Sequence, residues 1–144
     1  MIETAERQRL LQLARDAIVA HLSGLSSPAA EPSPIMDRRA GVFVSLHKGD
    51  ALRGCIGHIE PDQPLSRAIP NSAIAAASTD PRFAPVTPEE MMELQIELSI
   101  LGPLERIASV GDVEVGRHGL LVDRFAALGG PHAGGFHAEF HAGR

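Results

Sequence analysis

The stretch that most constrains the fold is residues 93–101, Glu-Leu-Gln-Ile-Glu-Leu-Ser-Ile-Leu. Leu94, Ile96, Leu98 and Ile100 alternate with Gln95, Glu97 and Ser99. Successive strand residues point to opposite faces, so the segment reads as a strand with one dry and one wet side. Such strands are typical of antiparallel sheets covered on one face only. Residues 41–47 repeat the pattern, with Val42, Val44 and Leu46 on one side and Phe43, Ser45 and His47 on the other. Lys48-Gly49-Asp50 then reads as a turn and Ala51 to His58 as a second strand, which together make a β-hairpin. Gly119 to Val122 reads as one more strand.

The remaining periodicity is helical. Residues 4–24 form an amphipathic helix capped by Thr4, with Leu11, Ala14, Ile18, Leu22 and Leu25 facing the core and Gly24 near its stop. A Pro/Ser-rich connector follows over 26–34. Residues 65–79 read as a helix of small residues that kinks or restarts at Pro70. It ends at Asp80-Pro81, because proline disfavours helical geometry in the residue before it. Thr87-Pro88-Glu89-Glu90 has the form of a capping box and announces one short helix. The order helix, hairpin, helix, strand, strand is not regular βαβ alternation. The expected class is α+β, a largely antiparallel sheet flanked by helices.

At 144 residues the chain fits one domain, and 44% hydrophobic content predicts a packed globule. Only 3% is aromatic, with no Trp or Tyr, so Ala, Val, Leu and Ile must fill the core. A net charge of −5 without a basic stripe argues against a nucleic-acid surface. Cys55 is the one cysteine, which excludes an internal disulfide framework and fits a reducing compartment. Glu3, Glu6, Arg7 and Arg9 stand where an export signal needs an apolar run, and no stretch is long enough for a membrane span. A cytoplasmic location is expected.

Leu52-Arg53-Gly54-Cys55-Ile56-Gly57 is the segment best suited to chemistry. Two glycines weaken a strand and often mark close approach by a ligand or another backbone. In a regular strand Arg53, Cys55 and Gly57 share a face, and a guanidinium beside Cys55 favours the thiolate. Packing as a small buried hydrophobe is the ordinary fate of a free cysteine. The secondary candidates are Asp80 with Arg82, as an ion pair at a helix end, and His118, as a base for Cys55. Each also has a plain structural role, as helix stop and turn residue. His58 points away from Cys55 in a regular strand and ranks lower. No phosphate loop, H-E-x-x-H or C-x-x-C motif occurs.

Leu-Arg-Gly-Cys-Ile-Gly resembles the signature of the AMMECR family, whose prokaryotic members are called AmmeMemoRadiSam system protein A. Further blocks match in order: Phe43 to Lys48, His58-Ile59-Glu60-Pro61, Ala75-Ala76-Ala77, Asp80 to Val86, Ile96 to Leu101, and Val115 to Val122. The resemblance covers most of residues 5–122. It implies an α+β domain with a larger and a smaller subdomain. It also implies a genetic neighbourhood that holds a Memo-like protein and a radical S-adenosylmethionine protein. The family's biochemical activity is not established.

After Val122 the resemblance ends and the composition changes. Five of the 14 glycines and three of the seven histidines fall in residues 123–144. The expectation is an incomplete AMMECR-like domain over 1–122 and a divergent, poorly ordered Gly/His/Ala-rich tail over 123–144, from truncation or an altered reading frame. His132, His137 and His141 are too loosely spaced to make a convincing metal site, and no cofactor is expected. Three functions follow. The first is a partner or accessory domain of the AmmeMemoRadiSam system, in which Arg53, Gly54 and Gly57 shape a surface and Asp80 and Arg82 help bind. The second is an enzyme with Cys55 as a thiol oriented by Arg53 and assisted by His118. The third, weakest, is nucleotide or RNA binding.

Overall fold

The computed structural model describes residues 2–103, 105–114, 118–121 and 135–143. The chain divides into two compact units, Met1–Ile100 with Ala142–Arg144, and Leu101–His141.

In the first unit, helix α1 (Thr4–Leu22) is followed by a short helix α2 (Pro34–Asp37). The hairpin β1 (Val42–Lys48) and β2 (Ala51–His58) comes next, then α3 (Leu65–Ser78). A 3-10 helix, Pro88–Met92, leads into β3 (Leu94–Leu101). The three strands lie in the order β2-β1-β3, all antiparallel. The fold is α+β.

The alternation of the sequence is the alternation of the sheet. Val42, Val44 and Leu46 are buried, as are Leu94, Ile96, Leu98 and Ile100, and all join one core with α1 and α3. The small side chains Ala68, Ala73, Ala76 and Ala77 of α3 are buried too. They let that helix lie close to the sheet, so the lack of aromatics is met by close approach rather than bulk. Arg15 of α1 donates to the carbonyls of Met91 and Leu94, at 3.0 and 2.7 Å, and ties that helix to the start of β3.

Some details differ from expectation. The N-cap of α1 is Glu3, whose amide donates to Glu6 Oε2 at 3.3 Å, and Thr4 is the first helical residue. The buried stripe runs through Leu10, Leu13, Ala14, Ala17 and Ile18. Leu11 and Leu22 are only partly buried, and Leu25, beyond the helix end, is exposed. A stripe about 100° wide has two flanks, and spacing alone did not choose between them. Helix α3 is continuous through Pro70, which falls in its second turn, so there is no restart.

In the second unit, β4 (Glu105–Ile107), a 3-10 turn (Val110–Asp112) and β5 (His118–Leu121) precede β6 (Gly135–Gly143), whose last two residues are counted with the first unit. Strands β4 and β5 both pair antiparallel with β6. Asp112 accepts the amides of Ala108 and Ser109 at 3.2 and 3.1 Å and closes the turn after β4. The sequence reading had no element after Val122. Its Gly/His-rich composition hides a two-residue alternation, Phe136, Ala138 and Phe140 against His137, Glu139 and His141, which is the pattern of a strand. Residues 122–134, which are Val122 and the first part of the predicted tail with its His132, lie outside the described residues.

Candidate functional site

The site begins with a one-residue slip. From the turn, β1 and β2 pair Lys48 with Ala51 and His47 with Leu52. The register then shifts, so that Leu46 pairs with Gly54 and Ser45 with Cys55. Arg53 is the extra residue, a β-bulge. Without the bulge Cys55 would oppose Val44, on the core face. With it, Cys55 and Gly57 oppose Ser45 and Phe43, on the face turned away from the core.

Both glycines of the signature are sites of close approach. A Cβ on Gly54 would lie 2.2 Å from the Ala76 carbonyl oxygen of α3. One on Gly57 would lie 2.2 Å from the Val42 carbonyl oxygen and 2.6 Å from Phe43 Cγ. Gly54 therefore admits the helix and Gly57 admits the Phe43 ring.

Cys55 is held from three directions. The Ser45 hydroxyl donates to its sulfur at 3.2 Å. Its amide donates to Asp80 Oδ2 at 2.9 Å, and its carbonyl accepts from Arg82 Nη2 at 3.2 Å. Because those backbone groups point outward, Ser45 and Cys55 form a non-hydrogen-bonded pair, the kind whose side chains come closest. Asp80 and Arg82 thus take the place of a neighbouring strand on the outer edge of β2.

Asp80 is 4% exposed. It also accepts the Arg82 amide at 3.1 Å and the Arg82 guanidinium at 3.0 Å on Oδ1 and 2.8 Å on Oδ2. Those side-chain bonds, with the Cys55 amide, hold its carboxyl far below the ordinary value of 3.8, against the opposing effect of desolvation. The same pairing raises Arg82. Arg82 remains half exposed and rests over the Phe83 ring, 5.3 Å from its centroid.

The hydrogen bonds of the Arg53 guanidinium go to groups other than Cys55. The guanidinium forms a two-pronged pair with Glu90, Nε to Oε1 and Nη2 to Oε2, both 3.0 Å. It also donates to the carbonyls of Ala84 and Pro85 at 2.7 and 3.3 Å. Arg53 is the bulged residue, and its guanidinium is taken up by the segment that follows α3. Glu90, lowered by Arg53 first and by the Thr87 amide second, caps the 3-10 helix at the same time. The structure therefore brings Cys55, Asp80 and Arg82 together and sends Arg53 to Glu90. His118 opens β5 in the second unit, where its backbone pairs with Glu139. His58 lies 3.7 Å from Asp62.

Ser45, Glu90 and the hairpin-turn residues were not singled out by sequence reasoning. The signal for Ser45 was its place on the wet side of β1, readable only with the bulged register. A hollow of about 510 Å³ lies beside the turn, lined among the described residues by His47, Gly49, Asp50, Gln95, Ile96 and Glu97. Cross-strand register places His47 opposite Gln95 and Ser45 opposite Glu97. Among the described residues no cluster of three or more metal-ligating side chains occurs, and no helix is long and apolar enough to cross a membrane.

The AMMECR1 family model matches residues 11–136. The chain belongs to the AMMECR1 family. The match runs beyond Val122, where the quoted motifs end. An AMMECR1 relative in Methanosarcina mazei is 43% identical over 132 residues, covering 85% of this chain and 66% of its own length. One in Methanothermobacter thermautotrophicus is 44% identical over 133 residues, covering 86% of this chain and 69% of its own. The crystal structure of an uncharacterized protein from Pyrococcus horikoshii superposes with a TM-score of 0.73 at 39% identity, over 79% of this chain and 62% of that one. The match thus spans about two thirds of the length of these relatives.

Proposed function

We propose that this AMMECR1 chain is an accessory domain of the AmmeMemoRadiSam system, engaging a Memo-like protein or a radical S-adenosylmethionine protein beside its hairpin. One observation carries this reading: the charged groups nearest the signature are engaged in holding backbone. Arg53 clamps Glu90 and two carbonyls, and Asp80 with Arg82 clamps both backbone groups of Cys55. Residues built into a scaffold in this way favour a rigid binding surface, and the hollow beside the hairpin turn supplies one. The test is calorimetric titration of the chain with each purified candidate partner. Saturable binding to one of them, unchanged in Cys55→Ser, is expected. Absence of binding to both would overturn the reading.

A second reading has its own support. The Ser45 hydroxyl 3.2 Å from Cys55 Sγ favours a thiol with a chemical role. Alkylation of Cys55 followed against pH tests it, and a thiol inert up to about pH 9 removes it.

A further inference from the structure

An imidazole and a carboxylate face each other where β2 ends. His58 is the last residue of that strand and pairs in register with the fully buried Val42, so its ring lies on the core side of the sheet. The ring is partly exposed, but its Nε2 is buried and has no hydrogen-bond partner. A polar nitrogen closed off from water and left unbonded is costly. Asp62 Oδ1 stands 3.7 Å from it, too far for a hydrogen bond and near enough for an ion pair. The backbone on both sides is fixed. Gly41 packs against Ile59, where an added Cβ would lie 2.3 Å from the Ile59 carbonyl oxygen. The Arg39 guanidinium donates to the Asp62 carbonyl, Asn71 of α3 donates to Gln63 Oε1 at 3.2 Å, and the Leu65 amide donates to the Arg38 carbonyl at 2.9 Å. The Asp62 side chain is the loose part: it is 64% exposed and ends short of Nε2.

We infer that His58 and Asp62 form a pH-sensitive latch on the connection between β2 and α3, drawn shut when the imidazole is protonated. Protonation gives the ring a donor at both nitrogens and a positive charge, and a charge-assisted bond is about twice as strong as a neutral one. A normal N–H···O bond spans about 2.9 Å, so closure needs a side-chain shift of under about 1 Å. A free imidazole changes charge near about pH 6.5, where an ordinary carboxylate is still ionised. The other charged residues on the surrounding elements are Asp37 at the end of α2, Arg38 and Arg39 before β1, Glu60 in the same segment and Arg67 in the first turn of α3. Cations outnumber acids among them, and cations oppose a further positive charge. The latch therefore depends on Asp62 rather than on a general acidic field. The connection it tightens joins the strand of Cys55 to the helix that leads to Asp80, whichever function the chain serves.

The experiment is an NMR titration of the whole chain from about pH 8 to about pH 5, the range that spans imidazole protonation. The Asp62 carboxyl carbon is expected to shift in step with the His58 ring. The Leu65 amide, bonded to the Arg38 carbonyl where the segment meets α3, reports the tightening. Its hydrogen-exchange protection factor, which is free of the intrinsic pH dependence of exchange, should rise about threefold, the scale of an exposed ion pair. Asp62→Asn should abolish that rise while the His58 ring still titrates, and His58→Gln should abolish it as well. His21→Gln, at an exposed histidine in the last turn of α1, should leave it intact. An Asp62 carboxyl that ignores the His58 ring, flat protection in the parent chain, or a full rise in Asp62→Asn or His58→Gln would each overturn the inference.

Discussion

Gly54 and Gly57 show how little room the signature leaves. A methyl group at either position meets backbone oxygen at 2.2 Å, and backbone cannot swing aside as a side-chain end can. Gly54→Ala is expected to destabilise the chain by about 3 kcal/mol, the upper range for overpacking, measured by urea unfolding. Asp80 is the other decisive residue. Its carboxyl, like that of Glu90, titrates below its ordinary value in the folded chain. A depressed carboxyl stabilises the fold above its unfolded pKa, and that contribution fades as pH falls toward the folded value. The melting temperature should therefore hold steady at neutral pH and drop as acidity passes the ordinary values of 4.5 for Glu90 and 3.8 for Asp80. Asp80→Asn should melt lower at neutral pH and lose part of that acid slope. A variant with the parent's full slope would show that Asp80 is not a source of it.

The segment 80–90 gains its importance as an element, although it is mostly irregular. It leaves α3 at Asp80, runs along the outer edge of β2 and ends in the 3-10 helix before β3. Along the way it meets Cys55 through Asp80 and Arg82, and Arg53 through Ala84, Pro85 and Glu90. The Val86 amide donates to the Ala77 carbonyl at 2.8 Å and pins the segment to α3 as well. Arg53→Lys keeps the charge but loses the planar fork. It should lower stability by about 2 kcal/mol, readable in chemical denaturation, and Arg53→Ala should lower it further. Strands β1, β2, β3 and β5, the long helices and the capping box at Thr87 were legible in the sequence, because periodicity and capping chemistry are local. The partner of Arg53 was not legible. Its neighbour in space is 37 residues away, and it stands at a bulge that alternation cannot reveal. Strand β6 escaped for another reason: glycine and histidine are poor strand markers, and they outweighed a real alternation.

For the molecule as a whole, the first unit is organised around β1. That strand is paired on both sides, by β2 and β3, and its inward residues Val42, Val44 and Leu46 are fully buried. Native-state hydrogen exchange should therefore be slowest at amides of β1 that donate within the sheet, and faster in β2. Faster exchange in β1 than in β2 would contradict this account of the core. The site lies on the outermost strand of β2-β1-β3, where backbone would otherwise be open to other chains. There the fold uses an aspartate and an arginine as a plug. Such a plug is only as durable as its ionisation. Once Asp80 takes up a proton, the amide of Cys55 becomes a rung to which foreign backbone can attach. Because that carboxyl keeps its charge far below its ordinary value, the edge should stay closed in mild acid and open only as the fold itself loosens.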